Sequence, residues 1–254
     1  MHIFITNDDG YLSPGLATLT ALMRAYGDVT VVAPEDGQSG MSNALTVKVP
    51  VRMRCVREEP GLAVYAASGT PTDCVKLAMN TLFADRKPDL LVSGINHGSN
   101  VSVAVIYSGT LGAAAEGTLY GVRSIGFSLT DYSREADFEG CRVYIPKIMA
   151  QVLAQPFAPH VFLNVNIPNL PAGAIKGIRL GRQTKGAWSE EYEKRIDPTG
   201  TPYYWLTGQF VNHEPDAPEA DENIVQQGYI AIVPHHVDMT EYCELQRLSK
   251  LWRF

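Results

Sequence analysis

The sequence predicts an α/β fold: a Rossmann-like, mainly parallel sheet flanked by helices, followed by a C-terminal hairpin extension. Three observations carry this. Short apolar runs at Ile3–Thr6, Val29–Ala33 and Asp89–Ser93 have the length and β-branched content of strands buried on both faces. Helical stripes alternate with these runs, the pattern of strands joined by crossover helices. After about residue 185 the alternation stops, and aromatic, acidic, Pro and Gly residues fill 188–223 without a long helical stripe.

Taken in order, Ile3–Thr6 is the first strand. Ser13 can cap the helix that follows, and Pro14 suits its first turn. Leu16, Leu19, Leu22, Met23 and Tyr26 then share one face, and Gly27 closes the segment. Val29–Ala33 is the second buried strand, and β-type pieces occupy 43–68, Leu62–Ala67 most clearly. Thr70 and Pro71 open another helix, with Val75, Ala78, Met79, Leu82 and Phe83 as its stripe. A strand at Asp89–Ser93, a small-residue helix at Thr110–Tyr120 and a strand at Ser124–Leu129 come next. A helix around 138–154 contains Pro146, so a kink or interruption is expected there. Val161–Ile167 is a further strand. Tyr203–Leu206 reads as a strand exposed on one face. These elements divide the chain into a core of residues 1–185 and an extension of 186–254, with a hairpin excursion and a returning strand and helix. The excursion serves subunit contact or covers the active site.

The chain has 254 residues, 45% of them hydrophobic and 19% charged, too apolar and too mixed in charge for a disordered protein. Its 21 basic and 27 acidic residues give a net charge of −6, which argues against nucleic acid as a stable partner. It does not argue against a small phosphorylated ligand held by backbone amides or a metal. The four cysteines, Cys55, Cys74, Cys141 and Cys243, form no Cys-x-x-Cys pair and read as reduced, buried thiols. The N-terminus lacks the basic start and long apolar run of a signal peptide, and no stretch approaches ~18 apolar residues. A soluble, cytoplasmic protein without a membrane partner is expected.

Three strands end in unusual polar or glycine-rich turns: Asn7-Asp8-Asp9-Gly10, Pro34 to Gly40, and Ser93 to Gly98. In an open parallel sheet ligands bind beyond the C-terminal strand ends, where strand order reverses, so these turns belong on one rim. Two adjacent carboxylates there raise each other's pKa unless a cation compensates them. Asp8 and Asp9, with neutral oxygens from Ser39 and Asn96, would form an all-oxygen site for Mg²⁺, Mn²⁺ or Ca²⁺ rather than zinc. Ser108, Gly109 and Thr110 fall at a helix N-terminus, where free N–H groups and the helix dipole favour phosphate. An ordinary helix cap is the alternative reading. Neither a P-loop nor a Gly-x-Gly-x-x-Gly turn is present. Of six histidines, His97 and His236 fall near the rim, and no general acid is evident. Tyr107, Trp188 and Tyr192 can stack a base or serve packing.

At these residues the sequence resembles the SurE (survival protein E) family, metal-dependent nucleotidases acting on nucleoside 5′- and 3′-monophosphates. The resemblance rests on Asn7-Asp8-Asp9-Gly10, Ser39-Gly40, Gly69-Thr70-Pro71-Thr72-Asp73-Cys74, Ser93-Gly94-Ile95-Asn96, Tyr107-Ser108-Gly109-Thr110 and Pro234 to Thr240. It implies that Asp8, Asp9, Ser39 and Asn96 ligate one divalent cation per subunit, Mg²⁺ or Mn²⁺. It further implies that Gly40, Asn96, Ser108, Gly109 and Thr110 hold phosphate, and that Asp8, Asp9 and Asn96 carry catalysis. Homodimers or homotetramers exchanging C-terminal elements are also implied. Two departures stand out: residues 35–38 read Glu-Asp-Gly-Gln and lack a basic side chain, and Val103-Ala104 stands where the family often has Asp. A nucleotide sensor without turnover, or a phosphatase for other monoesters or short polyphosphate, are the alternatives.

Overall fold

A computed structural model describes residues 1–253 apart from 134, 156 and 159. The first half runs β1 (His2–Thr6), α1 (Pro14–Met23), β2 (Asp28–Pro34), β3 (Met53–Glu59), β4 (Leu62–Ala67), α2 (Pro71–Asn80), β5 (Leu90–His97), α3 (Ala104–Tyr107) and α4 (Gly109–Leu119). It continues through β6 (Ser124–Leu129), α5 (Glu139–Ala154), β7 (Val161–Ile167) and β8 (Ile178–Leu180). The remainder comprises β9 (Gly186–Ser189), β10 (Tyr192–Ile196), β11 (Pro202–Leu206), β12 (Gln209–Asn212), α6 (Asp221–Gln226), β13 (Ile230–His236) and α7 (Tyr242–Leu251).

Among the described residues nine strands form one sheet in the order β3-β4-β2-β1-β5-β6-β7-β13-β8. The six from β4 to β7 are parallel, while β3 and β13 run antiparallel to β4 and β7. Side chains alternate across the sheet. Ile3 and Ile5 meet Leu19 of α1 and Ile148 of α5 on one face, whereas Phe4 meets Val75 of α2 and Ala113 of α4 on the other. With apolar helices on both sides, the central strands need continuous apolar runs. Burying one such side chain contributes about 1.5–3 kcal/mol.

Local chemistry starts the helices as expected. The Ser13 side chain accepts from Leu16 N–H, with Pro14 in the first turn of α1. Thr70 and Asp73 form a reciprocal capping box at α2. Small residues in α4 permit close approach: a Cβ on Gly112 would lie 2.4 Å from the Ser42 carbonyl oxygen.

Several expectations are corrected. Strand β5 does not stop at Ser93 but continues through the glycine turn to His97, with a register irregularity against β6 between Ser93 and Asn96. Helix α2 ends at Asn80, so Leu82 and Phe83 lie beyond it. Pro146 sits inside α5, which runs unbroken from Glu139 to Ala154, so the expected interruption is not there. Cys74 and Cys141 are buried, but Cys55 and Cys243 are exposed. The excursion after residue 185 is a ribbon of two nested antiparallel pairs, β9 with β12 and β10 with β11. All five residues of β11 are exposed, on both faces rather than one. Strand β13 then returns between β7 and β8. No helix among the described residues is long and apolar enough to cross a membrane.

Candidate active site

β1 lies between β2 and β5. The chain therefore leaves β1 on one side and comes back on the other, which opens a crevice at the C-terminal ends of these strands. Hydrogen bonds stitch the loops together there. Gln38 N–H donates to the Asp8 carbonyl (2.6 Å), joining the turn after β2 to that after β1. His97 N–H donates to Asp9 Oδ2 (3.2 Å), joining β5 to the same turn. From the α4 side the Thr110 hydroxyl donates to Asp8 Oδ1. Gly109 packs so tightly on this carboxylate that a Cβ there would lie 2.8 Å from Asp8 Cβ and 3.0 Å from its Oδ2.

The electrostatics follow from that packing. Asp8 is 3% exposed. Burial pushes its pKa up to about 6, opposed by the Thr110 hydroxyl and assisted by the neighbouring charge of Asp9. Asp9 is likewise raised, first by burial, with the His97 N–H working the other way. Among the described residues neither carboxylate forms an ion pair with a basic side chain. Asn96, also buried, donates from Nδ2 to the Gly98 carbonyl (2.9 Å), so its Oδ1 is the atom left to offer. A buried carboxylate, a half-buried one and an amide oxygen make a hard-oxygen donor set, and the residues fit a divalent cation of the magnesium class.

Ser39 and Gly40 follow Gln38 at the edge of this cluster. Both are exposed, and the Ser39 side chain makes no hydrogen bond to either carboxylate. The Ser108 side chain caps α4 by accepting from Leu111 N–H (3.1 Å). Gly109 and Thr110 hold the first two helical positions, whose N–H groups no helix carbonyl takes. The Thr110 hydroxyl is committed to Asp8, so its backbone N–H is what it can offer an anion.

His97 stands at the rim, with Nδ1 3.0 Å from the Ser133 carbonyl oxygen and its ring edge-on to Phe138. Its Nε2 is buried without a partner. His236 does not join it. Because β13 is antiparallel to β7, His236 pairs with Val161, at the N-terminal end of the parallel strands and opposite the rim. Tyr107 adjoins Ser108 and is half-exposed, its carbonyl accepting from Ser42 N–H (3.1 Å). Trp188 and Tyr192 lie out on the ribbon, Trp188 edge-on to Phe210. Val103 and Ala104 belong to the start of the short helix α3. A cleft of about 800 Å³ between α1 and β3–β4, lined by Tyr11, Leu16 and Arg54 among others, does not include the carboxylates.

Sequence reasoning missed two supports of the site. Asp73, besides capping α2, accepts from Thr46 N–H (3.1 Å) and so ties down the strap that carries Ser39 and Gly40. Asp221 holds the segment between Asn96 and Ser108. A capping-box spacing signals the first; the second is a long-range pairing with no local signature.

The survival protein SurE family profile matches residues 3–190. The 5′-nucleotidase SurE of Flavobacterium psychrophilum is 47% identical over 248 residues, covering 97% of this chain and 96% of that one. That of Bacteroides fragilis is 45% identical over 250 residues, covering 98% and 96%. In three dimensions the crystal structure of the SurE protein from Aquifex aeolicus superposes with a TM-score of 0.85 at 36% identity, covering 99% of both chains. With the profile spanning most of the sequence and full-length relatives at this identity, the chain belongs to the SurE survival-protein family.

Proposed function

We propose that the chain is a nucleotidase, a phosphate-monoester hydrolase releasing phosphate from nucleoside 5′- and 3′-monophosphates with one Mg²⁺ or Mn²⁺ per subunit. The observation that carries this reading is the seating of Asp8, buried and, among the described residues, without a basic partner, against the N-terminus of α4. The name of the relatives, 5′-nucleotidase, supports the nucleotidase part of this reading.

Asp8, Asp9, Ser39 and Asn96 would hold the cation. When bound, such an ion supplies positive charge to phosphate oxygens and lowers the pKa of a water. The remaining work falls to the chain. Thr110 orients Asp8 through its hydroxyl, and His97 N–H orients Asp9. The amides of Gly40, Gly109 and Thr110, with the dipole of α4, present donors to the phosphate oxygens. Donors fixed before the substrate arrives need no reorganisation as charge develops during attack on phosphorus. In-line attack by water forms one P–O bond as the bond to the nucleoside oxygen breaks, and that oxygen leaves with a proton. Tyr107, beside the phosphate site and half-exposed, is placed to meet a base.

The second part of the proposal concerns assembly. The tip of the ribbon exposes Tyr192, Ile196, Tyr203, Tyr204, Trp205 and Leu206. An isolated two-stranded ribbon is marginal in water, and α7 buries no residue within its own chain. A second copy of the chain would cover both in a homodimer or homotetramer.

The test of function is phosphate release from a panel of 5′- and 3′-nucleoside monophosphates, a sugar phosphate and short polyphosphate, with and without Mn²⁺ or Mg²⁺. Metal-dependent release from the nucleotides is expected. Nucleotide binding without release would reject the hydrolase reading.

A further inference from the structure

Between Asn96, near the end of β5, and Ser108, which opens α4, the chain crosses from the sheet to the helix that supplies the amides. Of this crossing only α3 is regular, yet Asn100, Val101 and Ser102 are buried. Side chains from elsewhere hold it. Asn100 N–H donates to Asn166 Oδ1 (2.8 Å), its Nδ2 to Ser128 Oγ (2.9 Å), and its carbonyl accepts from Asn164 Nδ2 (2.8 Å). Ser102 has a left-handed backbone (φ 54°), a conformation residues with side chains adopt only when the surroundings enforce it.

Asp221 is the group that enforces it. It is 1% exposed, and a buried carboxylate is tolerable only when donors saturate its oxygens. Ser102 N–H lies 3.2 Å from Oδ1 and 3.1 Å from Oδ2. Oδ1 also accepts Thr184 N–H (2.9 Å), Thr184 Oγ1–H (2.7 Å) and Glu222 N–H (2.9 Å). The Ser102 hydroxyl donates in turn to the Thr184 carbonyl (2.8 Å). Thr184 precedes the ribbon and Asp221 follows it. The base between them is clasped by Arg182, which pairs with Glu214 (2.5 Å) and Glu219 (2.9 Å). Oδ2 therefore faces the site segment, while Oδ1 serves mainly the ribbon base.

We propose that Asp221 is a positioning residue for the hydrolysis proposed above, on which this role rests. By fixing the Ser102 turn to the base of the ribbon, it sets the placement of the Ser108–Thr110 amides relative to Asn96. It touches no substrate and lies beyond the residues matched by the family profile.

Asp221→Asn is the selective test. An amide keeps the four donors at Oδ1, Ser102 N–H at 3.2 Å among them, but turns the other half of the Ser102 contact, at Oδ2, into a meeting of two donors. Three variants, Asp221→Asn, Asp221→Ala and Ile224→Val (a core change on the same helix), would be compared with the full-length wild type. The readouts are kcat and KM for AMP with saturating Mn²⁺, and amide hydrogen exchange over residues 98–110. For both Asp221 variants kcat should fall about 10–100-fold, the range for groups that support a site from behind. Exchange over 98–110 should quicken, and Ile224→Val should leave both readouts at wild-type values. If the wild type turns over and both Asp221 variants match Ile224→Val in rate and exchange, the role of Asp221 alone is overturned. Absence of turnover by the wild type on any ester would overturn the hydrolase reading and this role with it.

Discussion

At the scale of residues, Asp8 is the group on which the proposed chemistry and the electrostatic cost of the candidate site converge. Its pKa of about 6 lies above the unfolded value of about 3.9, so the folded chain binds this proton more tightly than the unfolded one. The stability linked to it is full below about pH 4 and is lost as pH rises through about 6. Metal-free protein thus carries a penalty at neutral pH. Asp8→Asn should raise the metal-free Tm near pH 7.5 by a few degrees, with a gap narrowing toward about pH 5. The same variant should lower phosphate release by about a hundredfold or more. Calorimetry and a phosphate assay check the two halves. Gly109→Ala makes a different point: its Cβ would strike the Asp8 side chain at 2.8 Å. The account expects a folded protein with strongly reduced turnover; wild-type turnover would show that the close approach is dispensable.

At the scale of elements, the strap of residues 38–46 is held by α2 from below and α3 from above. Thr70 Oγ1 donates to the Ala44 carbonyl (2.7 Å), and Ser42 Oγ donates to the Ile106 carbonyl (2.6 Å). Burial works against ionisation of Asp73, but donation from Thr46 and Thr70 outweighs it and holds the carboxyl below its usual range. A lowered pKa contributes stability above about pH 4 that is lost as pH falls through the folded value. Asp73→Ala should therefore cost about 1 kcal/mol through the lost cap, or about 2–4 °C in Tm. It should also flatten the acid limb of the stability profile and slow turnover by loosening Ser39 and Gly40. Most of these elements are legible in the sequence because each has a local cause. Ser13-Pro14 and Thr70-Pro71-Thr72-Asp73 are caps, and Val29–Ala33 is apolar because both sheet faces are covered. The end of β5 is not legible. Ser93-Gly94 carries turn residues, yet pairing with β6 resumes at Asn96 and His97, and long-range pairing overrides local preference.

At the scale of the molecule, strand order puts the site where the three polar turns converge, and the alternation of strands and helices suffices to read that. Strand direction decides His236 in the opposite sense: it was expected near the rim, but β13 runs antiparallel to β7 and carries it to the opposite end of the strands. Asp221 was not readable at all, because its partners lie 119 and 37 residues away. The ribbon raises a question for the whole assembly. Tyr203→Asp with Trp205→Asp places two charges on one face of β11, since alternate residues share a face. Light scattering should show these changes reducing the mass of the assembly; an unchanged mass would reject the ribbon as a contact between copies.

The central claim is that a cation at Asp8 and Asp9, with the amides of α4, takes the place of a basic surface in holding phosphate. It is tested most directly by titrating Mn²⁺ into chelator-treated wild type and Asp8→Asn, following bound metal and AMP hydrolysis together. In the wild type, turnover should rise in step with occupancy and saturate at one ion per chain, whereas Asp8→Asn should show neither tight binding nor turnover. Undiminished hydrolysis without metal, or full metal-dependent turnover by Asp8→Asn, would contradict the account.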